Sequence, residues 1–329
     1  MSALSNFFRR HPDAIAERPA ASIVCRFARA DEIHPALRFV LGAGGRAADD
    51  QQLADFLAFA GIRDIDLGEL AIAECGGTIL WAVLPIHSPG RTTLLFTPND
   101  PPQGKGVQGA IMLLDMICRR LATRDVQLTQ ALLDPADAST RQLFETAGFE
   151  RMAELIYLHG AVRKAPAPGP LPVEFSVVNY SEKTHPIFAA AILDSYRDSL
   201  DCPRLNGIRD IEDIIAGHKA SGEFDPNHWY ALLEMDPSGQ TRTPRGVLLL
   251  SRLARGQAAE LVYLGISPEA RGRGLGDWLM RRALSATAEM GIGRLSLAVD
   301  SINAPALKLY YRFGMSRLAS KVAMMRKLA

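Results

Sequence analysis

Short apolar runs separated by polar, Gly- or Pro-containing turns predict a set of strands in the second half of the chain. These strands lie near 173–179, 228–235, 245–253, 258–266, 294–299 and 319–327. Segments with helical spacing predict helices over 183–199, 208–219, 275–290 and 304–313. A meander of strands followed by β–α–β–α units indicates an α/β fold, with a mixed central sheet flanked by helices on both faces.

The first half, from Ile23 to Val162, gives the same order of elements. Residues 134–149 (DPADASTRQLFETAGF) align on 300–315 (DSINAPALKLYYRFGM) without a gap, at an offset of 166 residues. Each segment follows an apolar strand and forms one short helix that ends at a glycine, as a left-handed C-cap does. We therefore expect two tandem domains that arose by duplication and then diverged.

Proline marks the boundary between the two halves. Residues 163–172 (RKAPAPGPLP) contain four prolines and no apolar periodicity, which favours an extended linker. The predicted organisation is an N-terminal extension over 1–20, a first domain over 21–163, a linker over 164–172 and a second domain over 173–329.

The composition indicates a globular protein and limits its partners. Of the 329 residues 48% are hydrophobic and 22% are charged, and the net charge is only +1. This balance disfavours a general nucleic-acid or membrane-surface binder, so an anion site has to be local. The sequence has no apolar run of about 18 residues, and the N-terminus carries charges where a signal peptide needs an apolar core. We expect a cytoplasmic protein.

Cysteine and histidine spacing gives no indication of a metal site. The four cysteines lie far apart without a C-x-x-C pair, and the seven histidines show no ligand spacing. We expect neither a structural zinc nor a disulfide framework.

A glycine-rich turn, SPEARGRGLGDW (267–278), connects a predicted strand to a predicted helix. Gly272, Gly274 and Gly276 would let the free N–H groups of a helix N-terminus approach an anion, and Arg271 and Arg273 add positive charge. Glycine and arginine alone are equally compatible with a solvated basic loop.

Two other phosphate-binding motifs are disfavoured. The Walker pattern G-x-x-x-x-G-K-[ST] does not occur in the chain. The dinucleotide pattern G-x-G-x-x-G/A is met by Gly42-Ala-Gly-Gly-Arg-Ala47, but the apolar run before it is better interpreted as the end of a helix over Asp31–Leu41.

A third motif fits the glycine-rich turn. Arg271-Gly-Arg-Gly274-Leu-Gly276 matches [QR]-x-x-G-x-[GA] between a strand and a helix, and resembles the pyrophosphate loop of the GNAT superfamily, the GCN5-related N-acetyltransferases. Downstream, residues 303–315 resemble the family segment N-x-x-A-x-x-L-Y-x-x-x-G-F and depart from it at Met315. The resemblance covers about residues 173–329, and the duplicated arrangement is similar to mycothiol synthase-like tandem-GNAT proteins.

The resemblance implies acetyl-CoA as acyl donor and assigns roles to named residues. Glu260 matches the general base, and Tyr310 matches the acid that protonates the coenzyme A thiolate. The implied coenzyme-binding residues are Leu264, Ile266, Arg271, Gly272, Arg273, Gly274, Leu275, Gly276 and Asn303. Strand parity places Glu260, Val262 and Leu264 on one face if no bulge intervenes.

Each assigned role has a structural alternative. Glu260 could be an exposed carboxylate at a strand edge, Tyr310 a core tyrosine, and Asn303 a helix cap.

The first half looks like a degraded copy of the second. At the same offset Lys105-Gly-Val-Gln-Gly-Ala110 lies opposite 271–276, with Gln108 in place of the central glycine. Phe144 replaces the tyrosine, and the strand before the loop (91–97) has no carboxylate. We expect this half to pack against or complete the active domain, and residual coenzyme binding through Gly106 and Gly109 stays open.

The leading hypothesis is an N-acetyltransferase that moves an acetyl group from acetyl-CoA to a primary amine within a ternary complex. Its acceptor would be a small molecule or a peptide, without nucleic acid, membrane or metal. The acidic segments 194–202 and 210–213 either steer a cationic amine or are solvated helix faces. The alternative is a non-enzymatic acyl-CoA-binding sensor or protein-interaction module. Acceptor identity, acyl length and oligomeric state, monomer or homodimer, stay open.

Overall fold

A computed structural model describes residues 22–162, 167–253 and 258–328. The predicted N-terminal extension over 1–20 lies outside the described residues, as does part of the predicted linker.

The two halves contain the same elements in the same order. The first has strands β1 (Ile23–Phe27), β2 (Ala71–Cys75), β3 (Thr78–Ser88), β4 (Thr92–Phe96), β5 (Leu128–Leu133) and β6 (Glu150–Ala161), with helices α1 (Ile33–Leu41), α2 (Asp50–Ile62), α3 (Lys105–Ala122) and α4 (Ala138–Thr146). The second has strands β7 (Phe175–Asn179), β8 (Glu223–Met235), β9 (Arg242–Arg252), β10 (Ala259–Ile266), β11 (Arg294–Asp300) and β12 (Ser316–Lys327), with helices α5 (His185–Tyr196), α6 (Ile211–Ala220), α7 (Leu275–Glu289) and α8 (Ala304–Arg312).

The 166-residue offset holds for the end of each repeat. Strands β5 and β11 begin at 128 and 294, helices α4 and α8 at 138 and 304, and strands β6 and β12 at 150 and 316. The predicted α/β fold, with a mixed sheet flanked by helices in two tandem repeats, is confirmed.

The strands of the described residues form one continuous sheet, in the order β1-β2-β3-β4-β5-β12-β6-β11-β10-β9-β8-β7. The last strand of each repeat therefore lies beside the other repeat. Strand β12 pairs with β5 from Val322–Leu133 to Lys327–Leu128, and β6 pairs with β11 from Arg294–Ala161 to Asp300–Leu155. The two exchanged strands also pair with each other, so the repeats share the centre of the sheet.

Helices cover both faces of the second repeat. On one face α7 and α8 pack against β9, β10 and β11, with Leu279, Met280 and Ala283 fully buried. On the opposite face α5 and α6 bury Phe188, Ile192 and other apolar side chains against β8 and β9.

Close backbone contacts join the repeats on the α6 side. Gly90 has a φ of +83°, and an added Cβ would lie 2.0 Å from the carbonyl oxygen of Asp213 on α6. The Arg209 guanidinium donates to the carbonyls of Gly90 (3.0 Å) and Asp213 (2.7 Å). Only glycine fits this approach, and Arg209 connects the two backbones through hydrogen bonds.

The Gly42–Ala47 segment follows a helix, as expected. Helix α1 ends at Leu41, and the Asp100 carboxylate accepts hydrogen bonds from the backbone N–H groups of Gly44 (2.9 Å) and Gly45 (2.7 Å). These N–H groups are occupied within the chain, which agrees with rejecting the dinucleotide motif.

Candidate active site

A cavity opens where β10 and β11 diverge. The two strands pair in parallel only at Ala259–Leu295 and Glu260–Ser296, whereas β10 continues along β9 as far as Ile266–Gly246. The cavity beyond the last pair has a volume of about 600 Å³. Its lining includes Ser195, Asp201, Val262, Tyr263, Leu264, Ile266, Arg271, Gly272, Gly274, Gly276, Ala298, Asn303 and Tyr310.

A bulge in β10 changes which side chains share a face. The pairing with β9 shifts between Leu261 and Tyr263, so that Val262 and Tyr263 both pack toward α5 and α6. Leu264 packs instead in the core beneath α7. The condition under which Glu260, Val262 and Leu264 would share one face is therefore not met, because the extra residue reverses the alternation.

The N-terminus of α7 forms one end of the cavity. Gly272 and Gly274 both have a φ of +78°, a left-handed conformation that favours glycine. Gly274 is the N-cap, and no side chain caps the helix there. The first backbone N–H groups of α7 and its partial positive charge therefore suit an anion.

The two arginines of this turn have structural partners. Arg271 donates to the carbonyls of Ser195 (3.2 Å), Arg197 (2.7 Å), Asp198 (3.0 Å) and Ile266 (3.1 Å). It thereby fixes the end of α5 over the cavity.

Arg273 and Leu275 contribute no side chain to the cavity lining. The Arg273 guanidinium contacts Glu234 (2.5 Å) and Glu174 (2.9 Å), and the side chain of Leu275, the first residue of α7, is buried in the core. The positive charge of Arg273 is neutralised by the two carboxylates and does not face the cavity.

Asn303 lies at the cavity and also caps a helix. Its Oδ1 accepts a hydrogen bond from Ala306 N–H (3.3 Å) at the start of α8, and the residue lines the cavity. Both interpretations of Asn303 are compatible with this position.

Tyr310 reaches the cavity from α8 and is otherwise buried. Burial raises the pKa of its hydroxyl, and the nearby Asp201 charge raises it further. The hydroxyl is thus protonated at neutral pH, the state that a proton donor requires.

Glu260 lies outside the cavity lining, at the closed end where β10 and β11 are still paired. The residues two positions further along the strands, Val262 and Ala298, do line the cavity. Desolvation raises the pKa of the Glu260 carboxyl, and the charge of Arg63 from the first repeat lowers it.

The structure adds cavity residues that sequence reasoning left unassigned. Asp201 comes from the connection between α5 and α6, and its Oδ1 accepts from Asp300 N–H (3.1 Å). The hydroxyls of Ser195 and Tyr263 are hydrogen-bonded at 2.8 Å. In the sequence, Asp201 belongs to the acidic segment 194–202, and the pattern of that segment does not distinguish Asp201 from its other carboxylates.

The corresponding turn of the first repeat is helical. Helix α3 begins at Lys105, so the residues aligned with 271–276 form its first turns. An added Cβ on Gly109 would lie 3.1 Å from Ala73 Cβ, and on Gly106 it would lie 3.4 Å from the Leu80 carbonyl oxygen. These two glycines serve the close packing of helix on sheet.

An aromatic cluster occupies the position of the tyrosine in the first repeat. Phe144 is fully buried, with its ring centroid 4.9 Å from that of Phe149 and 6.4 Å from that of Trp81. No hydroxyl is available there for proton transfer.

None of the helices in the described part of the chain is long and apolar enough to span a membrane.

Comparison with known proteins agrees with this geometry. Residues 194–315 match the acetyltransferase (GNAT) family. The chain is 26% identical over 294 residues to a mycothiol acetyltransferase from Clavibacter michiganensis subsp. michiganensis, covering 87% of this chain and 90% of the relative.

Two solved structures share the fold. A GCN5-related N-acetyltransferase from Sphaerobacter thermophilus superposes with a TM-score of 0.58 at 16% identity, covering 93% of this chain and 96% of that one. A tandem GNAT protein from the clavulanic acid biosynthesis pathway gives 0.50 at 14% identity, covering 94% and 98%.

Proposed function

We propose that this chain, which is a GNAT acetyltransferase with two tandem repeats, transfers an acetyl group from acetyl-CoA to a primary amine in its second domain, residues 173–329. The observation that carries the proposal is the joint position of the uncapped N-terminus of α7 and the Tyr310 hydroxyl on one cavity. An anion site and a proton donor on the same cavity suit a thioester donor that carries a pyrophosphate.

The residues present fit the donor. The left-handed Gly272 and Gly274 keep Cβ atoms away from the start of α7, and no atom lies within 4 Å of an added Cβ at either glycine. The pyrophosphate would bind the backbone N–H groups of this turn, from Gly272 to Gly276. The diverging edge of β10 at Leu264 and Ile266 would receive the pantetheine arm and the thioester carbonyl.

Proton transfer would use two residues on opposite sides of the donor. Glu260 would accept a proton from the amine through water, since it lies outside the cavity lining. The neutral nitrogen then attacks the thioester carbonyl carbon directly. Tyr310 would give its proton to the departing sulfur, and its raised pKa keeps the hydroxyl protonated until that step.

The acceptor is proposed to be a small molecule. The relative that aligns along most of the chain is a mycothiol acetyltransferase, an enzyme named for mycothiol and not for a peptide or a protein. A peptide acceptor remains an outcome of the test.

The test is free-thiol release from acetyl-CoA over a panel of small amines and short peptides. Amine-dependent release, together with stabilisation of the fold by acetyl-CoA, is expected. Coenzyme binding without release for any amine would instead indicate a non-enzymatic sensor.

Replacing Tyr310 by Phe tests the assigned acid. We expect kcat to fall about 100-fold with little change in acetyl-CoA binding, because a general acid contributes on this scale. The neighbouring Tyr311, which is 48% exposed, supplies the matched control Tyr311→Phe. Equal kcat in the two variants would remove the acid role from Tyr310.

A further inference from the structure

A second carboxylate stands closer to the reaction centre than Glu260. Asp201 lines the cavity together with Asn303 and Tyr310. Burial raises the pKa of Tyr310 and of Tyr263, and the Asp201 charge raises both further. The Asp201 carboxylate thus shares a cavity with the hydroxyl that is assigned to the proton donor and acts on it electrostatically.

Backbone hydrogen bonds fix this carboxylate. Asp201 Oδ1 accepts from Asp300 N–H (3.1 Å), and Asp300 Oδ2 in turn accepts from Cys202 N–H (3.3 Å). The connection between α5 and α6 is thereby attached to the end of β11 by two reciprocal bonds. Asp201 is held at a defined position in the cavity wall, as a recognition group requires.

Asp201 lacks a cation of its own among the described residues. Burial raises the pKa of its carboxyl, and its surroundings lower it only through hydrogen bonds from the Asp300 backbone and the Asn303 side chain. Both arginines that line the cavity are engaged elsewhere: Arg271 with four backbone carbonyls and Arg312 with Asp277. A half-buried carboxylate without a counter-charge is costly, and a bound ammonium would remove that cost.

The other carboxylates of the cavity are less suited to this role. Of the other carboxylates that line the cavity, Asp277 is ion-paired with Arg312 and Asp198 is exposed to solvent. Asp300 is buried and used in the reciprocal bonds. Glu260 lies outside the lining and is acted on by the charge of Arg63.

Apolar side chains flank Asp201 at the surface. Leu200, the preceding residue, is 45% exposed and lines the cavity. Ile302 is 56% exposed, and its N–H donates to Asp300 Oδ1 (3.2 Å), within the same set of bonds. An exposed aliphatic side chain next to the carboxylate in the cavity lining matches an ammonium on an aliphatic stem.

We infer that Asp201 binds the ammonium group of the acceptor and makes the enzyme selective for alkyl amines that are cationic at neutral pH. This inference rests on the proposed acetyl transfer. From that bound state the nitrogen loses one proton toward Glu260 and its water, then forms the N–C bond as the C–S bond breaks. Tyr310 protonates the sulfur and recovers a proton from the nitrogen, so one proton is released per turnover.

The test compares wild type with Asp201→Asn on two acceptors, a primary alkylamine and an arylamine that is uncharged at pH 7.5. Asparagine retains an oxygen for the Asp300 N–H bond and loses the charge. We expect kcat/KM for the alkylamine to fall about ten-fold or more, mainly through KM, because bonds to charged groups contribute on this scale. The arylamine should change by less than about three-fold, since it carries no charge to lose.

Glu212→Gln is the matched control. It removes one negative charge from the other acidic segment, on an exposed residue of α6 that pairs with His185 (2.9 Å). It should leave the alkylamine-to-arylamine ratio at its wild-type value. Stabilisation by acetyl-CoA, measured on all three proteins, reports that the donor site is intact.

The outcomes separate the two proposals. If wild type shows no thiol release with any amine, the proposed function fails. If wild type is active and Asp201→Asn keeps the same ratio of kcat/KM values, only the role of Asp201 fails.

A wild-type measurement applies where Asp201→Asn does not fold. A trimethylalkylammonium ion should inhibit competitively with the alkylamine. The inhibition constant of its neutral tert-butyl analogue should be higher by about ten-fold or more. Equal inhibition by the two compounds would overturn the inference.

Discussion

Desolvation raises the pKa of both residues assigned to proton transfer. It raises the pKa of the Tyr310 hydroxyl, which therefore retains a proton to donate. It also raises the pKa of the Glu260 carboxyl, which makes this group a stronger base than an exposed glutamate. Arg63, from the first repeat, opposes the shift at Glu260.

This opposition predicts a pH effect that crosses the repeats. As pH falls through its raised pKa, Glu260 becomes protonated and can no longer accept a proton, so kcat/KM declines. Arg63→Gln removes the charge that lowers this pKa, and the acidic limb of the kcat/KM profile should move to higher pH. Measuring both profiles with one amine cancels the contribution of the acceptor's own ionisation.

Glu260→Gln provides the reference for that experiment. Its kcat/KM should be about 100-fold below wild type at neutral pH, because a general base contributes on this scale. Coincident acidic limbs for wild type and Arg63→Gln would contradict the electrostatic link between Arg63 and Glu260.

Single residues differ in how far the sequence could identify them. Gly272, Gly274, Gly276 and Tyr310 were assigned because two local motifs resemble those of the GNAT superfamily, and the structure brings them to one cavity. The position of Asp201 depends on a hydrogen bond to a residue 99 positions away. Nothing in the sequence of an acidic segment indicates which of its carboxylates makes such a contact. The bulge at Val262 was equally hidden, because an apolar run allows more than one alternation.

At the scale of elements, the two repeats differ in where one helix begins. Helix α7 begins at Leu275 after a loop with two left-handed glycines, whereas α3 has already begun at Lys105, four residues earlier in the aligned register. Within α3 the backbone of Gly106 donates to the Gln103 carbonyl (2.8 Å). The extra turn therefore replaces the loop whose N–H groups would hold an anion.

Gly274→Ala should weaken acetyl-CoA binding. An L-residue in the left-handed region costs about 1–2 kcal/mol, and the new Cβ would stand where the anion approaches. We expect the Kd for acetyl-CoA to rise about ten-fold. Isothermal titration calorimetry measures this Kd.

The control is Gly61→Ala in the last turn of α2. Gly61 has no atom within 4 Å of an added Cβ and lies in a regular helix, so alanine should stabilise the protein by about 0.5–1 kcal/mol. Unchanged acetyl-CoA binding in Gly274→Ala would mean that this N-cap takes no part in holding the donor.

Element order was predictable because each strand and helix of the second half carries its own periodicity and turn residues. Helix α7 was expected over 275–290 and is observed over Leu275–Glu289. At the glycine-rich turn the 166-residue offset aligns segments of different structure, because a glycine-containing run such as KGVQGA is compatible with either a loop or a helical turn.

At the scale of the whole molecule, the repeats are joined through their last strands. Strand β6 lies between β12 and β11, and β12 lies between β5 and β6. A sequence pattern identifies these segments as strands but does not specify their partners, because each repeat could equally have kept its own last strand. This exchange gives the first repeat a structural role although it lacks a tyrosine at position 144.

The exchange predicts that the halves remain together without a covalent link. A protease site inserted in the predicted linker 164–172, followed by cleavage of the folded protein, should give two fragments that elute together and retain acetyl-CoA-dependent stabilisation. Residues 167–329 expressed alone should not form a stable monomer, since β11 would lose its partner β6 and β12 would lose both neighbours.

Size-exclusion chromatography with light scattering and a thermal melt with acetyl-CoA measure both outcomes. Expression of 1–166 together with 167–329 is the control. It should restore a cooperative thermal transition that acetyl-CoA shifts upward, because it supplies β5 and β6 in trans. A dimer of 167–329 would agree with the exchange, because a second copy offers unpaired strands of its own. A folded 167–329 monomer that acetyl-CoA stabilises as it does the full chain would contradict it, since an isolated repeat would then hold its last strand without the other.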